Sequence, residues 1–431
     1  MYPSEGLMAT LNEIRETSID NNTLYHKQVP IVDITTSIQA FGTPILGDAQ
    51  TFNEFVSALV NRIAFTSFSN RYTFDNPLQV LYGDEIPLGS VVQDIYVNPA
   101  QARKYDINDF AGILSMYESD TKAQYLPKNL DVQYPVSVTR TELRKAFSSW
   151  GNLEQFINEL VNSLYNGLYM DEYELVKNLV ADAYTRNVGV IDVVTLPTDE
   201  ASSKAFVKKL RSYFLKFQKP NTNFNAWGKV GGYGRPVRTY TRPEDIYVLI
   251  TDDIYTEVSV ETLASAFNLD KADLMGRVIS VDSFGNDKIG AIICDRRWFK
   301  INPQELFLEE TYNPSNRIRN FFLNRIASFN MSLFANGVIL ASEEPDVTIT
   351  TAKFEHPSSV VKVGEVLNEK LDTEPFTGNS EITYEIDDET IASIEKIDNK
   401  TLAIKGKKVG NATITATSGS VTATMTIEVV E

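Results

Sequence analysis

The feature that most constrains this chain is an apolar stripe in "NLEQFINELVNSLYNGLYMDEYELVKNLVADAY", residues 152–184. Leu153, Phe156, Ile157, Leu160, Val161, Leu164 and Leu168 recur at three- and four-residue intervals, and Leu175, Val176, Leu179 and Val180 continue the series. That spacing is one face of an α-helix. Unbroken, the helix would run about 30 residues, roughly 45–50 Å at ~1.5 Å per residue. Ordinary globular helices span ~8–20 residues. Asn152 with Gln155 three residues later predicts a capping box at its start. Gly167 costs about 1 kcal/mol relative to alanine in a helix interior, which predicts a kink there. Two ordinary core helices would give the same stripe.

The flanking segments read differently. Residues 1 to 50 mix polar residues with short apolar pieces, and "TSIQAFGTPILGD" has Gly and Pro at turn spacing, so an extended arm is expected. "TFNEFVSALVNRIAF" reads as a short amphipathic helix. Between Tyr72 and Arg140, "PLGSVVQDIYV" and "LDVQYPVSVTR" read as two strands around a polar segment at 108–128, a long two-stranded excursion. An isolated ribbon is only marginally stable in water, so this one must lie on its own body or on a neighbouring chain. Residues 190–310 alternate strands ("GVIDVVTL", "DIYVLIT") with helices ("SSKAFVKKLRSYFLKF", "SVETLASAFN"), and "GRVISVDSFGNDKIGAIICD" reads as a hairpin turning at Gly285-Asn286. "ASEEPD", residues 341–346, reads as a linker. After it Thr, Ile and Val dominate. "DVTITTA", "SVVKVGEVL", "EITYEI", "TIASIEKI", "LAIKG", "NATITAT" and "TATMTIEVV" predict seven short strands, an immunoglobulin-like sandwich without a disulfide. A length of 431 residues fits two or three domains.

Several chemistries are poorly supplied. The one cysteine, Cys294, forms no intrachain disulfide. The two histidines, His26 and His356, are far apart in sequence, which leaves little for zinc sites, Cys–His nucleophiles or Ser-His-Asp triads. No metal, cofactor or catalytic residue is expected. The opening residues lack the basic and apolar regions of a signal peptide, and no run approaches the ~18 apolar residues of a membrane span, so a soluble protein made inside a cell is expected. A net charge of −17 opposes bulk adsorption to nucleic acid or anionic membranes.

The charge is segregated. From Ala201 to Pro243 there are ten basic residues and no acidic one: Lys204, Lys208, Lys209, Arg211, Lys216, Lys219, Lys229, Arg235, Arg238 and Arg242. Taking those ten charges from a net of −17 leaves −27 on the rest. Trp227, Tyr233 and Tyr240 interleave the cations. Three readings stand: a solvated helix face with a loop, a contact with acidic patches of another copy, or a contact with DNA. "GGYG" is not a phosphate-binding P-loop, because no Lys-Ser or Lys-Thr follows it. Asp387-Asp388-Glu389 has carboxylates that suit Ca²⁺ but reads first as a solvated turn, and Asp252-Asp253 as a helix or turn cap. Asn411-Ala412-Thr413 is a glycosylation sequon in form only.

In the tail, Ile391-Ala392-Ser393-Ile394 is followed by Gly406-Lys407-Lys408-Val409 and by Gly410, Ala412, Ile414 and Ala416. This resembles the bacterial immunoglobulin-like group 2 family. Tyr384 stands where that family has a core Trp, and Asn399-Lys400 where it has a glycine. Ahead of the tail, the order of arm, β excursion and a strand running through "VSVTRTELRKAFSSWGNLEQFINELVNSL" into the long helix resembles the major capsid proteins of tailed bacteriophages, the Hong Kong 97 fold. With the Ig-like tail it is similar to the phi-29-like group.

The resemblance implies an α+β capsid fold followed by an all-β sandwich. Residues 1–340 would be the shell domain, with an N-terminal arm at 1–50, an E-loop at 72–140, a spine helix at 150–185, an axial domain at 190–300 and a peripheral return at 300–340. A linker at 341–346 and an Ig-like domain at 347–431 would follow. It implies a non-enzymatic subunit that self-assembles, as pentamers and hexamers, into an icosahedral or prolate head shell around double-stranded DNA. A scaffolding protein and a portal would be partners, the host surface could be reached through the Ig-like domain, assembly would occur in the host cytoplasm, and the final location would be the virion. A bacterial cell-surface adhesin is the alternative. It predicts a signal peptide and tandem repeats.

Overall fold

The structure is a computed structural model that describes residues 3–21, 23–65, 74–104, 112, 115–231, 234–258, 277–313, 315 and 318–431. The expected helix "SVETLASAFN", Tyr233, and residues 72–73, 105–111 and 113–114 of the expected ribbon lie outside them. Two units divide the chain: Met1–Val92 with Tyr125–Val176 and Lys300–Asn330, and Gln93–Gln124 with Lys177–Phe299 and Met331–Glu431.

The first 50 residues are largely helical, not the extended arm that their turn residues predict. Helix α1 (Glu5–Asp20) starts at Ser4, whose Oγ accepts a hydrogen bond from Leu7 N at 3.3 Å. Leu7, Leu11 and Ile14 then recur at helical spacing and are buried. A single turn, α2 (Tyr25–Gln28), precedes α3 (Ile38–Gly47) and α4 (Ala49–Phe65). Gly42 and Pro44, the supposed turn residues, sit inside α3. An interior proline costs ~3 kcal/mol. Burial of Phe41 and Ile45 returns about 1.5–3 kcal/mol each, and Phe41 meets the rings of Phe55, Phe147 and Trp150 at 5.5–5.9 Å.

The two strands expected to form the ribbon do not pair with each other. β1 (Val92–Val97) pairs with β2 (Thr121–Leu126), which lies within the supposed polar spacer. β3 (Leu130–Thr139) pairs antiparallel with the strand Ile318–Met331, in register from Leu130↔Ala327 to Thr139↔Ile318. Alternation explains the choice of partner. Tyr134, Val136 and Val138 pack toward an apolar core. On the opposite face Gln133 and Ser137 donate across the ladder to Asn324 Oδ1 and Asn320 Oδ1, each at 2.7 Å.

Thr139 forms a capping box with Glu142 at the start of α5 (Arg140–Ala146). α6 (Trp150–Val161) begins before Asn152, so the predicted Asn152–Gln155 box does not form: Asn152 donates to Ser148 Oγ and Gln155 to Glu159. A π-type turn over Asn162–Asn166 separates α6 from α7 (Gly167–Thr185), interrupting the long helix immediately before Gly167. Leu153, Ile157, Leu160, Leu164 and Leu168 share one core with residues of α1, α3 and α4. Within the same unit Arg325 Nε meets Glu172 Oε1 at 2.7 Å, with both side chains at most 10% exposed. Tyr82 OH donates to the other oxygen of Glu172 at 3.1 Å.

Next come β4 (Val190–Val193), α8 (Glu200–Phe217), β5 (Ile246–Thr251), α9 (Asp252–Glu257), β6 (Val278–Val281) and β7 (Ile289–Asp295). β8 (Phe299–Asn313), β9 (Ile318–Met331) and β10 (Gly337–Ala341) follow. β9 is the central strand of the sheet β3-β9-β8. The other sheet here is ordered β4-β10-β7-β5-β6. The expected hairpin at Gly285-Asn286 is therefore absent: β6 and β7 flank β5, one parallel and one antiparallel. β5 (IYVLIT) is too apolar for an edge, and it takes a partner on each side. Phe206, Val207, Leu210, Phe214 and Phe217 of α8 join Val248, Ile250, Ala291, Ile293, Val338 and Leu340 of this sheet in one core.

The tail contains eight strands, not seven: β11 (Thr351–Phe354), β12 (Ser358–Lys362), β13 (Val366–Glu374), β14 (Thr383–Ile386), β15 (Ala392–Lys396), β16 (Thr401–Gly406), β17 (Gly410–Ser418) and β18 (Val421–Val430). They form two sheets, β11-β13-β16-β15 and β12-β18-β17-β14, around one core. "SVVKVGEVL" is broken by a turn in which Glu365 N donates to Lys362 O at 3.0 Å, and its halves enter different sheets. In the turn before β12, His356 Nδ1 lies 3.1 Å from Glu369 Oε2, a carboxylate only 3% exposed that also accepts from Ser359 Oγ.

The buried pair and the histidine each have a measurable consequence. Arg325→Met leaves the Glu172 carboxylate buried without its cation, and losing one partner of a buried pair costs about 3–5 kcal/mol. Urea denaturation of the unassembled chain should show that loss, with the double change Glu172→Leu/Arg325→Leu losing less than the single one. The hydrogen bond to Glu369, then its charge, hold the His356 pKa above the usual histidine range. A raised histidine pKa stabilises the fold below the ordinary value of about 6.5, and that contribution disappears as pH rises through the raised value. His356→Gln should therefore lower the melting temperature at pH 6 and leave it nearly unchanged at pH 8.

Candidate assembly surfaces

The β1–β2 ribbon has one anchored face and one bare face. On the anchored face Tyr96 stacks on Phe334 with ring centroids 5.8 Å apart, and Asp94 accepts from Ser332 Oγ at 2.5 Å. Gln124 donates to Met331 O and accepts from Leu333 N. Asn98 donates to Pro236 O and accepts from Arg238 N, both near 3 Å. Period-two alternation sends the remaining side chains the other way. Val91, Ile95, Val97 and Tyr125 there are 52–67% exposed, with Met116 and Tyr117 exposed in the segment before β2.

The ten basic residues do not form one patch. A capping box in which Asp199 accepts from Ser202 N starts α8, and the helix places Lys204, Lys208 and Arg211 on its exposed face. Lys204 Nζ bonds Glu200 at 2.6 Å, one turn away. Lys209 lies at the flank, 2.9 Å from Asp192, which also accepts from Tyr213 OH. Lys216 Nζ sits 5.5 Å from the centre of the Tyr213 ring. Lys219 is exposed beyond the helix. Lys229 is half-buried and donates to Asn187 Oδ1 at 3.2 Å; burial lowers its pKa. Arg235 lies 3.9 Å from Asp120, a carboxylate held below its usual range by hydrogen bonds from Asn98 and Lys122. Arg238 and Arg242 flank Tyr240 beside a cleft of about 550 Å³ that Arg297 also lines. Arg297 was not singled out from the sequence, where "CDRRW" has nothing to tie it to residues 238–242.

In the tail, Ala412, Ile414 and Ala416 face the sandwich core at 1% exposure or less, and Thr413, Thr415 and Thr417 take the other face. Gly406 runs so close to the neighbouring backbone that a Cβ would stand 2.7 Å from Lys362 O. Gly410 has φ +156°, with Ile391 packed against it. Tyr384 is half-buried and its OH donates to Asn399 O at 3.1 Å, while the Asn399 amide donates to Ser380 O at 2.8 Å. Asp387 Oδ1 accepts from Thr413 N, extending the β14–β17 pairing by one residue, and Asp388 Oδ1 accepts from Thr390 N and Oγ1 within a turn. Asp252 and Asp253 open α9.

Comparisons with known proteins agree with this architecture. Residues 11–341 match the family described as Phi29-like phage major capsid protein, and residues 347–429 match the bacterial Ig-like domain (group 2). The chain is 27% identical over 341 residues to the major capsid protein of Bacillus phage PZA, covering 78% of this chain and 74% of that one. It is 28% identical over 349 residues to the major capsid protein of Streptococcus phage Cp-1, covering 76% and 92%. The capsid structure of Staphylococcus phage Andhra has a similar fold, with a TM-score of 0.52 at 13% identity over 65% of this chain and 90% of that one. This chain therefore belongs to the phi29-like phage major capsid protein family, as a structural subunit of the head shell with a Hong Kong 97-like body and an immunoglobulin-like tail.

Proposed function

We propose that this subunit builds its shell by laying the bare face of the β1–β2 ribbon on a neighbouring copy and by turning the basic outer face of α8 toward an acidic surface of the next. The observation that carries this reading is the ribbon: four apolar side chains are more than half exposed on one face while the opposite face is tied down by hydrogen bonds. Burying such a face is worth roughly 25 cal/mol per Å². The charge division supports the second contact, since a chain of net −17 with ten basic and no acidic residues in one segment offers each copy both signs. Closed shells require heterologous contacts of this kind.

In this reading the subunit performs no catalysis. It assembles in the host cytoplasm with a scaffolding protein and a portal, and it encloses DNA without adsorbing it, because a net charge of −17 opposes counterion-release binding. Residues 1–340 form the shell domain. The Ig-like domain faces outward and reinforces the shell or meets the host surface.

Electron microscopy of full-length protein expressed with a phage scaffold tests the contacts. Lys208→Glu with Arg211→Glu should lower particle yield roughly tenfold or more, a change of about 1.4 kcal/mol per tenfold, with circular dichroism and melting unchanged. Wild-type yield would remove the α8 contact. A chain lacking residues 345–431 should remain soluble and helical. Insoluble product would overturn the division at the linker.

A further inference from the structure

The extended segment Val237–Arg242 alternates strictly. Val237, Thr239 and Thr241 are buried, while Arg238, Tyr240 and Arg242 are exposed. The backbone is pinned along its length. Arg238 N donates to Asn98 Oδ1 and its carbonyl accepts from Tyr96 OH. Thr239 exchanges two hydrogen bonds with Asn221, and Thr241 N donates to Phe217 O. Arg297 stands at the same cleft, its guanidinium held by two hydrogen bonds, of 3.0 and 2.7 Å, to Asp295, whose side chain is 1% exposed. Among the described residues, neither the Arg238 nor the Arg242 guanidinium has a hydrogen-bond or ion-pair partner. Three guanidinium groups thus line a cleft of about 550 Å³, Arg297 held by Asp295 and Arg238 and Arg242 carried on pinned backbone, with Tyr96 and Tyr240 as walls and Asp245 as the acidic lining residue among those described.

We propose that this cleft receives an Asp- or Glu-bearing segment of a second copy of the chain. This deepens the reading that the basic stretch meets acidic surface on a neighbour, and it rests on that reading. Arginine forks pair with carboxylates in planar, bidentate geometry, and among the described residues the forks of Arg238 and Arg242 have no carboxylate of their own, while that of Arg297 is already paired with Asp295. Arg238 and Arg242 are four residues apart on extended backbone, about 13 Å at ~3.3 Å per residue, so the cleft spans a short segment, not one side chain. Its volume lies in the ~300–1,000 Å³ range of concave sites. Nucleic acid fits less well: duplex phosphates lie on a convex surface that does not enter a cleft. The charge of −27 outside residues 201–243 supplies acidic segments in every copy.

The test is Tyr240→p-benzoylphenylalanine in the full chain, assembled from a mixture of isotopically light and heavy copies, irradiated as particles and mapped by mass spectrometry. Light–heavy cross-links to one Asp- or Glu-containing peptide are expected. They should fall about tenfold when Arg238→Gln and Arg242→Gln are added to the labelled copies and these are doped into otherwise wild-type particles. Particles that form normally but give only same-chain cross-links, DNA adducts, or a yield unaffected by the glutamines would overturn the cleft proposal and leave the shell reading standing. Failure of the parent wild-type chain to form particles with scaffold would remove the shell reading itself.

Discussion

The ladder between Leu130–Thr139 and Ile318–Ala327 is the constraint on which most else depends. Ten consecutive pairs in register commit β3 to β9. A one-residue slip would turn Tyr134, Val136 and Val138 from the core to solvent, so the pairing is held by the whole apolar face. With β3 committed to β9, β1 pairs with β2 alone among the described residues. A two-stranded ribbon cannot bury both of its faces. The bare side is therefore a consequence of where the neighbouring strand found its partner, and it is the surface to which we assign the contact with the next copy.

The same unit buries an ion pair. Arg325 belongs to β9 and Glu172 to α7, so one buried ion pair ties the sheet to the long helix. Tyr82 completes the carboxylate, and Tyr134 OH donates to Asp171 at 2.9 Å on the same turn of helix. Buried pairs of this kind add little net stability but specify which surfaces meet. Register along β3 and the placement of α7 are thus fixed by directional contacts as well as by burial.

Much of this was legible in the residues. The stripe Leu153–Leu168 packs as its periodicity requires, and Ala412, Ile414 and Ala416 face inward as strict alternation demands. Pairing was not legible, because alternation says which face a strand buries and nothing about its neighbour; β3 and the β6–β7 segment both went to partners other than the adjacent strand. Pro44 misled because local propensity was outweighed by the burial of Phe41 and Ile45. The basic stretch was visible as charge, but its division into a helix face and a cleft depends on Asp295 holding Arg297 beside residues more than fifty positions earlier.

Hydrogen exchange of the ribbon amides, Val92–Val97 and Thr121–Leu126, compared between unassembled chain and intact particles, tests the central claim most directly. A ribbon completed by a neighbouring copy should exchange markedly faster in the unassembled chain than in the particle, gaining protection beyond any gain in the β11–β18 sandwich. Equal protection in both states would mean that the ribbon is already satisfied within its own chain, and assembly through its bare face would be ruled out.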